Sequence, residues 1–278
     1  METILGIAKN AGKEIMKVRQ LPVEEWDERK KEDGSPVTKA DLEAHQIICE
    51  GLQKHFPDIP IISEEGDIPG KEIRNTYSRY WLVDPLDGTK EFVAGSHSFT
   101  VNIALVEENR PSLGIMVVPA QNTLYYAQAS RGAFMRDLQK ENEQKLEVPV
   151  LPRDFSNMKI LHSATHLESR TSKLIDHFSN VEKLSLGSSL KMAKLAEGRG
   201  HFYPRLGLTM EWDTAAGHII IEEAGGSVWN ADNLLPLTYN KKGLVNKGFF
   251  AVGGFENGEH QKQFRDLLSD QLSALQDG

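Results

Sequence analysis

The groups with the clearest chemical capacity lie in Trp81-Leu82-Val83-Asp84-Pro85-Leu86-Asp87-Gly88-Thr89-Lys90-Glu91-Phe92. Asp84 and Asp87 flank the Leu86 carbonyl, and the three together offer hard oxygen donors of the kind Mg²⁺ takes. Gly88 allows a positive φ or the close approach of another group to the backbone. Thr89 opens the next segment with amides free to receive an anion. A divalent cation held beside a phosphate is the chemistry this set suits. The competing reading is a plain hairpin, because Asp-Gly is a frequent turn dipeptide.

Three other segments add acids at the ends of expected elements. Asp41 stands three residues after Thr38, the spacing of a capping box. Glu64 and Glu65 follow the apolar run 59–62 and read either as a turn in water or as a bridge toward a cation. Asp213, in Glu211-Trp212-Asp213-Thr214-Ala215-Ala216, falls in the expected first turn of a helix, where an acid complements the helix dipole whatever else it does. Each has a structural explanation alone. Together they would complete a shell of oxygen donors, and no Cys/His cluster competes for a softer metal. Two ions a few ångströms apart can hold both the attacking and the leaving oxygen of a phosphate ester.

The elements that must position these groups follow from periodicity. Ile4, Leu5, Ala8, Ala11, Ile15 and Met16 recur at helical spacing and predict a first helix to about Gln20. Residues 23–35 are highly charged and end in Gly34-Ser35-Pro36, which predicts an exposed loop or flap. Thr38 caps a second helix with Leu42, Ile48, Cys49, Leu52 and Phe56 on its apolar face, and Pro57 stops it. Pro85 biases Asp84 toward an extended conformation, so Asp84 should close its strand. Strands at 99–106, 113–118, 123–129 and 133–135 are separated by short turns, as in an antiparallel meander. The polar stretch 137–157 is the expected boundary between an N-terminal α+β domain, 1–152, and a C-terminal α/β domain, 153–278. Beyond it, strands at 159–162, 181–185, 201–204, 228 onward and 249–252 alternate with helices at 168–178, 189–197, 211–224 and 256–275. The fold class is α/β: a helix pair over a largely antiparallel sheet, then a smaller α/β region.

Bulk properties narrow the function. The chain has 278 residues and a formal net charge of −8, with no long basic run, which argues against a nucleic-acid partner. A phosphorylated small molecule would need cations to offset its charge, and acid-bound metal ions would supply them. One cysteine, Cys49, excludes an intrachain disulfide and fits a reducing cytoplasm; the residue reads as a small core side chain. No signal peptide is expected, since the start lacks a basic region followed by a sufficient apolar run, and no apolar run reaches membrane-spanning length. The expected location is cytoplasmic, with peripheral association at the inner face of the membrane left open, as is the oligomeric state.

Ser63-Glu64-Glu65, Asp84-Pro85-Leu86-Asp87-Gly88-Thr89 and Trp212-Asp213-Thr214-Ala215-Ala216-Gly217 resemble the signatures of the inositol monophosphatase superfamily of metal-dependent, lithium-sensitive phosphomonoesterases. The continuation Lys90-Glu91-Phe92 is similar to its 3′(2′),5′-bisphosphate nucleotidase branch, as are Leu186-Gly187-Ser188-Ser189-Leu190-Lys191, Ala196-Glu197-Gly198 and Tyr203-Pro204-Arg205. The resemblance implies a layered α-β-α-β-α sandwich and two or three Mg²⁺ ions. It implies that Glu64, Asp84, Asp87, Asp213 and the Leu86 carbonyl hold the metals, with Glu64 also counted as catalytic. Asp41 and Thr89 would position and activate water. Leu86, Asp87, Gly88, Thr89 and Asp213 would surround the substrate, the Gly88 and Thr89 amides cradling the reacting phosphate.

One feature departs from that branch. Ser163-Ala164-Thr165-His166 stands where the branch often has Ser-Arg-Ser-His, which leaves Lys191 and Arg205 as candidates for a second, non-reacting phosphate. His162 and His166 read as structural or capping, and Trp212 as a core residue. The expected reaction is hydrolysis of adenosine 3′,5′-bisphosphate to AMP and phosphate by metal-activated water, with its sulfated analogue a secondary substrate. An inositol or sugar phosphatase on the same scaffold is the alternative, and a non-catalytic cation- or phospholipid-binding module the reading from another class.

Overall fold

The computed structural model describes residues 1–31, 34–164 and 167–275. Its layers can be read from one strand, β4 (Arg79–Asp87). Trp81 and Val83 face a core shared with the helices α1 (Glu2–Gln20) and α2 (Lys39–His55). Tyr80 and Leu82 face a second core shared with α6 (Leu190–Ala196) and α7 (Ala215–Glu223). Successive side chains of a strand point to opposite faces, so a strand covered on both sides reads as an unbroken apolar run.

β4 belongs to a seven-stranded sheet in the order β3-β4-β5-β6-β7-β8-β9. β3 (Ile61–Ser63) lies parallel to β4. β5 (Thr100–Glu107), β6 (Arg110–Val118), β7 (Thr123–Gln128), β8 (Ala133–Asp137) and β9 (Glu143–Lys145) continue the sheet as an antiparallel meander. β6 begins earlier than expected because Glu108 and Asn109 both adopt positive φ, 48° and 62°, the geometry of a two-residue hairpin turn. β9 lies inside the stretch expected to be a polar connection. α3 (Lys71–Arg74) and α4 (Thr89–Val93) are short.

The second sheet, in the order β11-β10-β12-β16-β14, is mixed. β10 (Lys159–Ser163) pairs in parallel with β11 (Glu182–Leu186) and β12 (Phe202–Arg205). β16 (Phe249–Val252) pairs antiparallel with β12 and with β14 (Ser227–Asn230). One face meets α6 and α7. The other packs Phe202, Trp229 and Phe250 against α5 (Ser169–Asp176) and α8 (Gly258–Ala274). Two small ladders complete the description, β1 (Arg29–Lys30) with β2 (Pro36–Val37), and β13 (Thr209–Met210) with β15 (Val245–Asn246). The layers run α1/α2, first sheet, α6/α7, second sheet, α5/α8, the α-β-α-β-α sandwich expected.

α7 can lie this close to the first sheet because β6 carries Gly114. A Cβ there would come within 2.5 Å of the Ala216 carbonyl oxygen and 2.9 Å of Ala216 Cα. That contact brings the second half of the chain down onto β4, where Asp84 and Asp87 sit.

Several local expectations are corrected. Residues 23–35 contain the β1 strand of a hairpin, and Trp26 is buried against Phe92, with ring centroids 4.9 Å apart. Leu42 is exposed rather than part of the buried face of α2. Asp84 does not end its strand. Asp213 precedes α7 instead of lying in its first turn: its Oδ2 accepts the Met210 amide at 2.9 Å, a local side-chain bond that competes with helix formation. His166 lies outside the described residues.

Candidate active site

Asp84 and Asp87 are three residues apart in one strand, a spacing that normally sends side chains to opposite faces. The ladder explains why they meet. Asp84 pairs with Asn102 and Asp87 with Thr100, so two residues of β4, Pro85 and Leu86, oppose one residue of β5, Val101. This is a β-bulge, a place where proline's missing N–H costs no ladder bond. The extra residue inverts the alternation and turns both carboxylates to the α7 side. The Asp84 side chain closes the turn by accepting the Leu86 amide at 3.1 Å.

Asp213 arrives from above, and one carboxylate oxygen from each of Asp84, Asp87 and Asp213 lies within 4.8 Å of the others. Glu64, at the end of β3, is tied to its neighbour strand by its amide on the Val83 carbonyl, 3.1 Å. Its carboxylate is held by Lys31 Nζ at 2.7 Å, and Lys31 also reaches Glu65 at 2.6 Å. A chain cation from the β1–β2 hairpin therefore sits on the acid expected to bridge toward a metal. The three aspartates are brought together, Glu64 is near enough to act on Asp84 and Asp213, and Lys31 is a partner for Glu64 that spacing gave no reason to expect.

Charge is concentrated here in deficit. Burial pushes the carboxyl groups of Asp84 and Asp213 well above the ordinary range, and the neighbouring acids push further, with Glu64 and Asp87 acting on both. Burial also raises Glu64, against the pull of Lys31. Like charges held a few ångströms apart in a partly dry site favour the protonated forms unless a cation offsets them. All the donors are carboxylate oxygens, with hydroxyls behind them, so the set fits a hard divalent ion and not a thiophilic one.

Beside this cluster stands a second unit. Thr38 caps α2, accepting the Ala40 amide at 3.2 Å, and Asp41 Oδ2 accepts both the amide and the hydroxyl of Thr38 at 2.7 Å. The other oxygen, Oδ1, accepts the Thr89 hydroxyl at 2.8 Å. The capping box and the Asp41–Thr89 pair are thus one structure, and both carboxylate oxygens are committed. Burial raises the Asp41 carboxyl despite the bonds from Thr38 and Thr89. Thr89 is placed by Gly88, whose φ of 93° lies in the left-handed region. A side chain at 88 would also meet Ser188 Cβ and the Ser98 carbonyl at 3.2 Å.

The cavity over the cluster is lined by Gly88, Lys191, Tyr203, Arg205, Asp213 and Thr214, among others. Lys191 is not a solvated surface charge. It is 3% exposed, donates to the Leu186 carbonyl at 3.1 Å and the Ser188 carbonyl at 2.5 Å, and lies 5.3 Å from the Tyr203 ring centroid. Burial brings its ammonium down to about 8. Arg205 lies on the same wall and donates to the Leu208 carbonyl at 3.4 Å.

Sequence reasoning missed two groups. Ser188 Oγ donates to Asp87 Oδ2 at 2.6 Å, and the Ser189 amide bonds the same oxygen. Glu211, two residues from Asp213 and fully buried, accepts the Asn240 amide at 2.7 Å and both the amide and the ammonium of Lys241 at 2.9 Å. The paired serines were visible in the motif at 186–191, but nothing in spacing aims them at Asp87. Cys49 is partly buried beside His45, its sulfur 3.7 Å from Nδ1, and burial pushes the thiol up to about 11. Trp212 is buried in the core shared by the two sheets.

The sequence pattern of the inositol monophosphatase family matches residues 1–270. The 3′(2′),5′-bisphosphate nucleotidase CysQ of Salmonella typhimurium is 39% identical over 252 residues, covering 90% of this chain and 98% of the relative. Among solved structures, CysQ from Bacteroides thetaiotaomicron, a bacterial member of the inositol monophosphatase family, superposes with a TM-score of 0.80 at 35% identity, covering 92% of this chain and 97% of that one. An IMPase from Thermotoga maritima gives a TM-score of 0.74 at 26% identity over 97% of this chain and 96% of that one. No helix among the described residues is long and apolar enough to cross a membrane.

Proposed function

This chain belongs to the inositol monophosphatase family, and on that premise we propose that it is a Mg²⁺-dependent phosphomonoesterase that hydrolyses adenosine 3′,5′-bisphosphate to AMP and phosphate. The sulfated analogue is a secondary substrate. The choice of nucleotide rests on the likeness to the bisphosphate nucleotidases CysQ. One geometric observation carries the chemistry: the Thr89–Asp41 hydrogen bond lies beside a triad of aspartates, a water-orienting pair that cation binding alone would not need.

Asp84, Asp87 and Asp213 would hold the metal, with Glu64 and the Leu86 carbonyl completing sites for two or three ions. Those ions would polarise the phosphate oxygens and lower the pKa of a coordinated water. The chain's own groups do the rest. The Thr89 hydroxyl, donating to Asp41, keeps its lone pairs open to accept a proton from water. Asp41 is clamped by Thr38 and cannot rotate away. Its raised carboxyl pKa suits it to take the Thr89 proton as water attacks phosphorus and the bond to the ribose 3′ oxygen breaks, with that oxygen taking a proton from solvent to leave as the 3′ hydroxyl of AMP. No covalent enzyme intermediate forms. Amides of Gly88 and Thr89 would face the phosphate charge that grows in the transition state. Lys191 and Arg205, on the far wall, would neutralise the non-reacting 5′ phosphate, whose charge would keep Lys191 protonated. A cytoplasmic location rests on the single thiol, Cys49.

The test is phosphate release with Mg²⁺ from adenosine 3′,5′-bisphosphate, AMP and inositol 1-phosphate, with and without EDTA. The bisphosphate should be preferred and EDTA should abolish release. Preference for inositol 1-phosphate would overturn the substrate, and release insensitive to EDTA would overturn the metal.

A further inference from the structure

Behind Asp87 lies a closed group of hydroxyls that joins the two halves of the molecule. Ser188 Oγ donates to Asp87 Oδ2 at 2.6 Å. Since a carboxylate has no proton to give, the direction of that bond is fixed. Ser189 Oγ donates to Asn102 Oδ1 at 3.1 Å. Both serine protons are then used, so the Thr100 hydroxyl must be the donor to Ser189 Oγ at 2.6 Å and, more weakly, to Ser188 Oγ at 3.0 Å. Thr100 and Asn102 are on β5, opposite Asp87 and Asp84 in the ladder. They are 0% and 1% exposed. Ser188 is held at a φ of 55°, a conformation that costs a serine energy and persists only where surrounding bonds enforce it.

We propose that Thr100 is a positioning residue for Asp87, acting through Ser188 and Ser189. With Oδ2 held by the Ser188 hydroxyl and the Ser189 amide, the carboxylate can present only Oδ1 to a metal, in one orientation. Thr100 seats the two serines on the sheet face that carries Asp87 and so transmits the register of β5 to a ligand on β4. The same group of bonds makes Asp87 usable only when the turn before α6 has docked on the first sheet. Partners that orient a ligating carboxylate are worth about 10- to 100-fold in metal affinity.

The inference rests on the reading of Asp87 as a metal ligand, and the experiment separates the two. Mg²⁺ is titrated calorimetrically into metal-free wild type, Thr100→Val, Thr100→Ser and Ser189→Ala proteins, and the thermal midpoint of each is measured in EDTA. Thr100→Val keeps the shape and removes the hydroxyl. It should weaken Mg²⁺ binding about tenfold, Thr100→Ser should restore it, and Ser189→Ala should weaken it in the same direction. Should Thr100→Val fail to fold in EDTA, Ser189→Ala carries the test, because it leaves the amide bond to Asp87 in place. Wild-type affinity in both Thr100→Val and Ser189→Ala, or a Thr100→Ser protein as weak as Thr100→Val, would overturn the relay alone. Wild-type protein that takes up no Mg²⁺ would overturn the ligand reading and the relay with it.

Discussion

Glu211 and Asp213 share one turn, and their surroundings are opposite. Glu211 is fully buried, yet its oxygens receive two backbone amides and the Lys241 ammonium. Asp213 receives one amide, from Met210, and otherwise faces Asp84, Asp87 and Glu64, with Arg205 on the cavity wall as a partial offset. A buried carboxylate that its own chain satisfies fixes the fold, here by tying the 239–242 segment to the start of α7. One left among like charges is in deficit, and a deficit in a cleft marks a place for a ligand. Residue type and spacing do not separate the two; the donors around them do.

The sharpest way to break that contrast is to remove the charge in deficit. Asp213→Asn should lower phosphate release by ~10³-fold or more, since the metal contributes several kcal/mol to the transition state. The same change should raise the thermal midpoint in EDTA by a few degrees, because it relieves repulsion. A lower midpoint in EDTA would show that the aspartate is structural after all. Asp41→Asn should cut turnover by ~10²–10³-fold while calorimetric Mg²⁺ affinity stays at the wild-type value; near-normal turnover would remove Asp41 from the chemistry. Glu211→Gln should do the reverse of Asp213→Asn. It leaves Lys241 without its charge partner and should cost about 3 kcal/mol in denaturant unfolding, with Mg²⁺ affinity retained in the folded fraction.

The smallest effect is one of pH. Asp84 and Asp213 have folded pKa values raised above the ordinary 3.8. The native state therefore holds their protons more tightly than the unfolded chain does. Their contribution to metal-free stability is full below the unfolded value and is lost as pH rises through the raised folded values. Mg²⁺ needs the deprotonated forms, so the rise in thermal midpoint that Mg²⁺ produces should grow as pH rises above the ordinary carboxylate value and through the raised folded values. A rise of the same size at every pH would mean that these carboxylates do not titrate against the metal.

The sequence makes the layers and the site residues readable for different reasons. Helical and strand periodicity predict the helix pair over an antiparallel sheet and the α/β region after it, because apolar side chains must be covered on whichever face they point to; the five-layer order comes only with the family resemblance. The acids at 41, 64, 84, 87 and 213 stand out because each falls at the end of a predicted element. What periodicity does not contain is the bulge at Pro85-Leu86, a property of two strands in register, and so Asp84 was expected to end its strand. Lys191 stands out as a candidate phosphate contact, but nothing local announces its burial on the carbonyls of Leu186 and Ser188 or beside the Tyr203 ring. Lys31 on Glu64 and Thr100 behind Asp87 are long-range pairings that only the folded chain brings about.

The division of the aspartate triad between the two halves also sets a timetable. Asp84 and Asp87 leave the ribosome together, and Asp213 follows 126 residues after Asp87 (213 − 87). At ordinary rates of synthesis that interval is on the order of ten seconds. The early part of the chain can build its sheet and its Asp41–Thr89 pair, but it cannot enclose a cation between three carboxylates until α7 has been made and has settled over Gly114. Metal capture by this triad would therefore be a late event in the life of each molecule, and the ion would report that assembly is complete without guiding its beginning.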